Sequence, residues 1–514
     1  MRWPRLLLAG SLIWTYHADR RWRTSLNHRS FQAVDDACSC LTSVGAAGCC
    51  PDAPLAGQPD SLSRVTMLKI KRSRLLDPPS HLVKWTLLAC LVAVLAGSAS
   101  AFFLLSLDLA TDWRLAHPWA IWLLPVAGFA VGLVYHLVGK PVDGGNNLII
   151  DEIHDPKRVV PLRMAPLILG GTLVSHLFGA SVGREGTAVQ MGAALSDQLT
   201  GLFRLTSEER RILLMAGMSA GFASVFGTPL AGAVFGLEVL AIGRMRYDAL
   251  YPCLAASILA DQVARAWGVH HAHHTIAGIV PIGVWSVVAM VLSGILFGWV
   301  GRLFSTSAHH LGALIKRHIR YAPLRPFLGG IVIAVAVCAL GSQQYIGLGT
   351  ADIAGSFDHP MRPWDFAGKF GFTVVSLASG FKGGEVTPLF YIGATLGNAL
   401  APLMHLPFSF MAGIGFVAVF AGAANTPIAT TLMAMELFGV DMGPLAAIAC
   451  VTAYLFSGHT GIYNAQRLAH GKRTLELHAA EPRLSDLAAL PRHRPTRHGS
   501  QQHHHDRRCT RDDQ

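Results

Sequence analysis

Two glutamates are the residues of this sequence best suited to chemistry, because each stands next to glycine in an apolar region. Glu185 occupies the run Gly-Arg-Glu-Gly, and Glu385 occupies the run Gly-Gly-Glu-Val-Thr-Pro. A carboxylate in apolar surroundings is costly unless it has a partner or a task. The glycines permit an unwound chain before a helix, whose free N–H groups and positive dipole end suit an anion. The pattern therefore predicts an anion site with a titratable carboxylate beside it.

The two segments offer different groups to an anion. Gly186, just before a helix predicted to open near Thr187, is expected to take part in anion binding. Glu185 is predicted to occupy the site when charged and to vacate it when protonated. A salt bridge from Arg184 that only fixes the helix start is the alternative, but an intramembrane ionisable pair favours function. In the second segment the N–H groups of Val386 and Thr387 would face an anion where proline begins a helix, unless Thr387 is an ordinary cap.

Two further motifs carry polar groups that could reach the same anion. Gly145, Asn146 and Asn147 belong to a run Asp-Gly-Gly-Asn-Asn, which is typical of a tight turn, although its side-chain amides could face an anion. Tyr463 follows the last apolar segment. A tyrosine there is typical of an interfacial anchor, but its hydroxyl could instead close one mouth of a pore.

The elements that must position these residues are membrane helices. Hydrophobic residues make up 52% of the 514 residues and charged residues 14%, against about 25% charged in soluble domains. Long stretches almost lack charge, at 87–107, 119–138, 282–300 and 408–435, and a spanning helix needs about 20 apolar residues. We therefore predict an all-α, multi-pass integral membrane protein. Its net charge of +11 is explained by basic flanks that face the cytoplasm, so no nucleic-acid partner is predicted.

The order of motifs repeats along the chain. Glu185 precedes Pro229 by 44 residues and Glu238 by 53, while Glu385 precedes Pro427 by 42 and Glu436 by 51. This spacing predicts two repeats, about 83–270 and 277–465, within a membrane domain of residues 67–465. Membrane transporters are commonly built from inverted repeats, with ion sites where broken helices meet.

The two ends of the chain differ from this body. Residues 1–66 are interpreted as a non-native or disordered extension, with Met67 as the preferred start. The Arg/His-rich residues 466–514 are predicted to be a disordered tail. The scattered cysteines show no metal-ligand spacing, so neither a metal nor a cofactor is predicted.

Together these segments resemble the CLC family of chloride channels and chloride/proton antiporters. Arg184-Glu185-Gly186 is similar to the family's gating-glutamate motif, and Tyr463 to its pore tyrosine. Val386 and Thr387 stand where the family has its Gly-x-Phe-x-Pro turn, and Gly145-Asn146-Asn147 where it has Gly-Ser-Gly-Ile-Pro. The resemblance implies broken and tilted helices in an inverted repeat and a homodimer in the plasma (inner) membrane. It also implies that Glu185 is the gate and proton-coupling residue of an anion pathway in each subunit.

The departures from the family pattern refine the expected substrate. Asn146 replaces a serine, Val386 replaces a phenylalanine, and Val239 stands where antiporters often have an inner proton-transfer glutamate. This set is similar to the fluoride/proton antiporter branch, which implies fluoride export and a branch-specific, pathway-adjacent Glu385. A chloride/proton antiporter and a voltage-gated-type chloride channel are the alternatives. An intramembrane enzyme is a weaker one, based on Gly-x-Ser-x-Gly around Ser181 and Ser219.

Overall fold

The computed structural model describes residues 78–271, 276, 278, 280–472 and 483–489. The described chain is mostly helical. A helix hydrogen-bonds its own backbone groups, and an apolar segment inside a bilayer must do so because no water is available there. The first half comprises Pro78–Ala116 (α1), Leu124–Val134 (α2), Asn146–His154 (α3), Met164–Leu177 (α4), Glu185–Leu202 (α5), Ser207–Phe226 (α6), Pro229–Glu238 (α7) and Leu250–Ala266 (α8).

The second half repeats this series. It comprises Val284–His318 (α9), Leu324–Leu340 (α10), Thr350–Asp358 (α11), Asp365–Ser379 (α12), Val386–Met404 (α13), Phe408–Ala424 (α14), Pro427–Phe438 (α15) and Gly443–Phe456 (α16). Single-turn 3₁₀ or π segments lie at Pro118–Leu123, Tyr135–Gly139, Lys140–Val142, Tyr247–Ala249 and Val440–Met442. A long helix opens each half, and α3 and α11 are both 9 residues long.

The two halves are inverted relative to each other. Helices α7 and α15 occupy the same place in their halves, and each ends in a glutamate that accepts hydrogen bonds from the start of the other. Glu238 accepts from the N–H groups of Ile428 (3.0 Å) and Ala429 (2.8 Å). Glu436 accepts from those of Leu230 and Ala231, both at 2.9 Å. Such an exchange requires antiparallel helices, so the predicted inverted repeat is confirmed.

Helix lengths fit a membrane protein with broken helices. By length and composition, four helical stretches of the described chain could span a bilayer: Ser80–Ala116, Pro118–His154, Val284–His318 and Val386–Met404. Other apolar helices have 10–17 residues, fewer than the about 20 of a typical spanning helix. Large apolar side chains on α1, such as Leu87 and Leu109, are exposed, as lipid contact requires.

The prediction of a disordered tail from residue 466 is wrong at the beginning of that segment. Gln466 is buried, Arg467–Leu468 (β2) pairs in parallel with Ala241–Ile242 (β1), and Leu484–Ala489 (α17) is helical. The Gln466 amide donates to the carbonyls of Val239 (2.9 Å) and Ala424 (3.2 Å), so side-chain contacts that the tail's composition does not reveal hold this segment. The rest of the predicted tail and the extension 1–66 with its start at Met67 lie outside the described residues.

Candidate functional site

The two glutamate motifs meet at a short backbone bridge. The N–H of Gly183 donates to the carbonyl of Gly384 (2.6 Å), and the N–H of Gly384 donates to that of Gly183 (2.7 Å). The approach requires glycine, because a Cβ atom on Gly384 would lie 2.7 Å from the backbone nitrogen of Gly186. Helices α5 and α13 begin directly after this bridge, so their N-termini converge on one buried region.

Glu185 places its carboxylate on the first turn of α13. Its Oε2 atom accepts from the Thr387 N–H (3.0 Å) and from the Thr387 hydroxyl. Arg184 donates from its backbone (3.2 Å) and from its Nε (3.2 Å). The side chain is fully buried, and helix N-termini favour negative charge. The carboxylate of the first repeat therefore occupies an anion position formed by the second repeat.

Asn146 reaches the same region from the polar turn. Gly145 has a positive φ of 56°, which glycine adopts without strain, and α3 begins at the next residue. The amide nitrogen of Asn146 lies 3.2 Å from where a Cβ atom of Gly186 would stand. Its side-chain oxygen has no hydrogen-bond partner among the described residues. Asn146 thus brings its side-chain amide nitrogen to the start of α5.

Asn147 has a different contact from its neighbour. Its side-chain oxygen accepts from the backbone N–H of Ala465 at 2.9 Å, two residues after Tyr463. The sequence allowed either asparagine to offer its amide to an anion, and both line the cavity described below. The oxygen of Asn147 ties α3 to the segment that carries Tyr463.

Tyr463 is buried, with 4% of its surface exposed. Its hydroxyl lies within electrostatic range of both Glu385 and Glu185. Its segment is fixed by the Ile462 N–H, which donates to the Ala423 carbonyl at 2.9 Å, and by the Gln466 contacts. A tyrosine held so far inside does not act as an interfacial anchor.

A cavity of about 650 Å³ adjoins the site. Asn146, Asn147, Glu385 and Tyr463 line it, whereas Glu185, Val386 and Thr387 do not. Glu385 stands immediately before α13 and faces the cavity, although it is the sequence equivalent of Glu185. Of the two carboxylates, that of Glu385 therefore borders the cavity, whereas that of Glu185 is bound to Thr387 outside its lining.

The position at which an inner proton-transfer acid is expected is occupied by valine, not by an acid. Val239 is fully buried, and its carbonyl accepts from Gln466. The carboxylate of the adjacent Glu238 accepts hydrogen bonds from the N-terminus of α15. Among the described residues, the acids that line the cavity are Asp143 and Glu385.

The enzyme alternative rests on Ser181 and Ser219, and in the described part of the chain neither has a base beside it. The Ser181 hydroxyl pairs with that of Thr373 at 2.9 Å, and Ser219 is buried within α6, 3.5 Å from the Ala233 carbonyl. His176 makes no hydrogen bond of normal geometry within the described chain. Neither serine has the hydrogen-bonded base that nucleophilic catalysis needs.

Two polar contacts at the site were not predicted from the sequence. The hydroxyls of Thr172 and Thr187 pair at 2.7 Å, which ties α4 to the first turn of α5. Lys382 pairs with Asp143 (2.6 Å) and lies over the ring of Tyr135, 3.9 Å from its centroid. The only signal for the second contact was a lysine next to the glycines of the Glu385 motif.

Comparisons with known proteins give consistent matches. The family model "Voltage gated chloride channel" matches residues 127–458. A "Chloride/fluoride channel protein" of Pseudomonas syringae pv. tomato is 69% identical over 427 residues, which cover 82% of this chain and 94% of that protein. The "H(+)/Cl(-) exchange transporter ClcA" of Cronobacter sakazakii is 28% identical over 391 residues, 68% of this chain and 81% of that protein. The solved structure of "a CLC-type fluoride/proton antiporter" is 34% identical with a TM-score of 0.74, covering 76% of this chain and 98% of that one.

Proposed function

Because this chain belongs to the voltage gated chloride channel family, we propose that it is an anion transporter that exports fluoride in exchange for protons. The observation that carries the proposal is the position of Glu185. Its carboxylate lies on the N–H and hydroxyl of Thr387, where an anion would find its best donors.

Exchange follows from competition for these donors. A charged Glu185 and a fluoride ion cannot share one helix start, because two negative charges in a buried site repel strongly. A proton from the far side neutralises the carboxylate, which then loses its advantage at Thr387 and yields to the anion. When the anion leaves, the carboxylate loses its proton and returns. One carboxylate thus links anion and proton movement in opposite directions without a large rearrangement.

Fluoride is the preferred substrate for two reasons. The relative with 69% identity is named a chloride/fluoride channel protein, and the solved structure with 34% identity is a fluoride/proton antiporter. Fluoride also holds its water strongly, so a fluoride site must offer strong dipoles in place of water. The Asn146 amide beside Gly186 supplies such a dipole. Field strength and cavity size both contribute to selectivity in ion pathways.

A chloride/proton antiporter is the second candidate. The relative of 28% identity is named as an exchanger of protons and chloride, and the Glu185 geometry serves either halide. What favours fluoride is the combination of Asn146, Val386 and Glu385.

Family membership supports a transporter and not an enzyme. We propose that the protein lies in the plasma (inner) membrane and works as a homodimer with one pathway per subunit. Native mass spectrometry of the detergent-solubilised protein is expected to give twice the chain mass.

The test is anion efflux from proteoliposomes that contain the full chain. Fluoride or chloride is loaded at equal concentration, and an anion electrode and a pH electrode record both movements; protein-free vesicles give the leak. We expect fluoride efflux well above chloride efflux, with protons moving the opposite way. Chloride efflux equal to or above fluoride efflux would reject the fluoride assignment in favour of the second candidate.

A further inference from the structure

The cavity beside the site carries more positive charge than a passage for one small anion needs. Four cations line it, Lys140, Lys316, Arg325 and Lys382, against the two carboxylates of Asp143 and Glu385. Its volume of about 650 Å³ lies within the range of about 300–1,000 Å³ for small-molecule sites. A fluoride ion fills a small fraction of it.

Two of the cations are fixed by protein contacts. Lys382 pairs with Asp143 at 2.6 Å. Arg325 donates from Nε to the Ile319 carbonyl (2.9 Å) and from Nη2 to the Arg320 carbonyl (3.4 Å). Asp143 also experiences the charges of Lys316 and Arg325, so three cations converge on one carboxylate.

The charges of the other two cations are not neutralised by an ion pair with any described residue. Lys140 and Lys316 are exposed to the cavity side of the chain, and neither forms an ion pair with an acid in residues 78–271 or 280–472. Lys316 shares the last turn of α9 with two further basic residues, Arg317 and His318. Those two residues do not line the cavity.

We infer that this cavity is a second binding site, whose ligand is a phosphate-type anion with at least two negative charges. The inference rests on the proposed function, because it concerns the mouth of the same pathway. A dianion gains Coulomb energy from each cation in proportion to its charge, and lysine and arginine bind phosphate oxygens through charge-assisted hydrogen bonds. A bound oxyanion sits in front of Asn146 and Tyr463 and blocks access to them. Transport is therefore inhibited by polyvalent anions at this face.

Inorganic diphosphate is the probe. Fluoride efflux is measured from proteoliposomes with diphosphate on both faces, so that protein orientation does not matter. Gluconate keeps ionic strength constant, because screening alone weakens surface electrostatics. Saturable inhibition is expected. Its half-inhibitory concentration should rise about tenfold in the double variant Lys140→Gln/Lys316→Gln, which removes two charges. The matched control Arg317→Gln, on the same turn of α9 but outside the cavity, should keep the parent value.

Isothermal titration of diphosphate into the detergent-solubilised protein measures binding without transport. Binding that is about tenfold weaker in the double variant supports the site. Absent binding, or equal binding in parent and double variant, overturns it. Vesicles with and without phosphatidic acid, a lipid phosphomonoester that can carry two negative charges, separate the phosphate sources: inhibition by diphosphate that is equal in both identifies a soluble ligand, whereas inhibition lost with the anionic lipid identifies a lipid phosphate in the cavity. Absence of any fluoride efflux without diphosphate would instead reject the proposed function and leave the titration result standing.

Discussion

At the scale of single residues, equivalence in sequence does not mean equivalence in role. Glu185 and Glu385 hold matching places in the two repeats, but only Glu185 reaches across to the donors of the other repeat. Glu385 stays before its own helix and lines the cavity. The two repeats thus place the same kind of side chain in different surroundings, one on the donors of Thr387 and one on the cavity wall.

Replacing Glu185 by Gln should abolish proton movement while anion efflux continues. Glutamine keeps the shape and can still contact Thr387, but it cannot carry a proton. The measurement is the pair of fluoride and pH recordings on the variant. Glu208→Gln, at an exposed carboxylate on α6, is the control and should transport like the parent. Proton movement that persists in Glu185→Gln would refute the gate assignment.

The two asparagines should respond differently to alanine. Asn146→Ala removes the dipole beside Gly186 and should lower the ratio of fluoride to chloride efflux about tenfold, as expected for one hydrogen bond to a charged group. Asn147→Ala breaks the contact with Ala465 and should slow both anions without changing their ratio. Anion competition in the efflux assay measures the ratio. Unchanged selectivity in Asn146→Ala would remove that residue from the anion site.

At the scale of elements, buried charges join helices that are distant in sequence. Arg210 at the start of α6 contacts Asp197 of α5 through Nε (2.7 Å) and Nη2 (2.8 Å), and Glu152 of α3 through Nη1 (3.0 Å). It also donates to the Arg158 carbonyl at 2.6 Å. This one guanidinium fixes the helix whose N-terminus carries Asn146 relative to the helix whose N-terminus carries Glu185.

Arg210→Met should therefore destabilise the protein strongly. Two buried carboxylates lose their partner, which costs about 3–5 kcal/mol. A clear fall of the thermal unfolding midpoint in detergent is expected. The adjacent Arg211→Met removes a pair to the largely exposed Glu208 and one hydrogen bond to the His154 carbonyl, and it should cost only about 1–2 kcal/mol. Equal midpoints for the two variants would contradict the structural role of Arg210.

The exchange between α7 and α15 makes a symmetric prediction. Glu238→Ala and Glu436→Ala each leave two N–H groups of the opposite helix without an acceptor, so each should cost about 1–2 kcal/mol. Glutamine at either position keeps an oxygen and should recover part of the loss. Thermal midpoints of the four variants provide the test. A large effect at one position with none at the other would mean that the two contacts are not equivalent.

At the scale of the whole molecule, the inverted repeat was predictable and the details of the site were only partly so. The order and spacing of the motifs predicted the repeat, and local motifs predicted Glu185, Thr387 and Asn146 as site residues. The contact between Asn147 and Ala465 joins residues 318 apart, and that between Lys382 and Asp143 joins residues 239 apart. No local pattern encodes such pairs. A two-residue strand such as Arg467–Leu468 is likewise too short to show a period.

Charge distribution predicts how the molecule crosses the membrane. Helix α9 has 35 residues and is about 50 Å long, enough to cross a bilayer with some tilt. Its last turn carries Lys316, Arg317 and His318, so that end and the cavity should face the cytoplasm. In cells, a membrane-impermeant maleimide added outside should label Val284→Cys and not Arg317→Cys, with labelled peptides identified by mass spectrometry. The reverse result would invert the orientation.

The contacts of Glu238 and Glu436 with the opposite helices can form only after both repeats have been synthesised. Glu238 and its donor partner Ile428 are 190 residues apart, and a ribosome adds about 5–20 residues per second, so the first half waits about 10 to 40 s for its counterpart. During that interval a carboxylate and a bare helix end remain unsatisfied in a nascent membrane chain. A truncated product keeps them unsatisfied permanently, which marks it chemically as incomplete for membrane quality control.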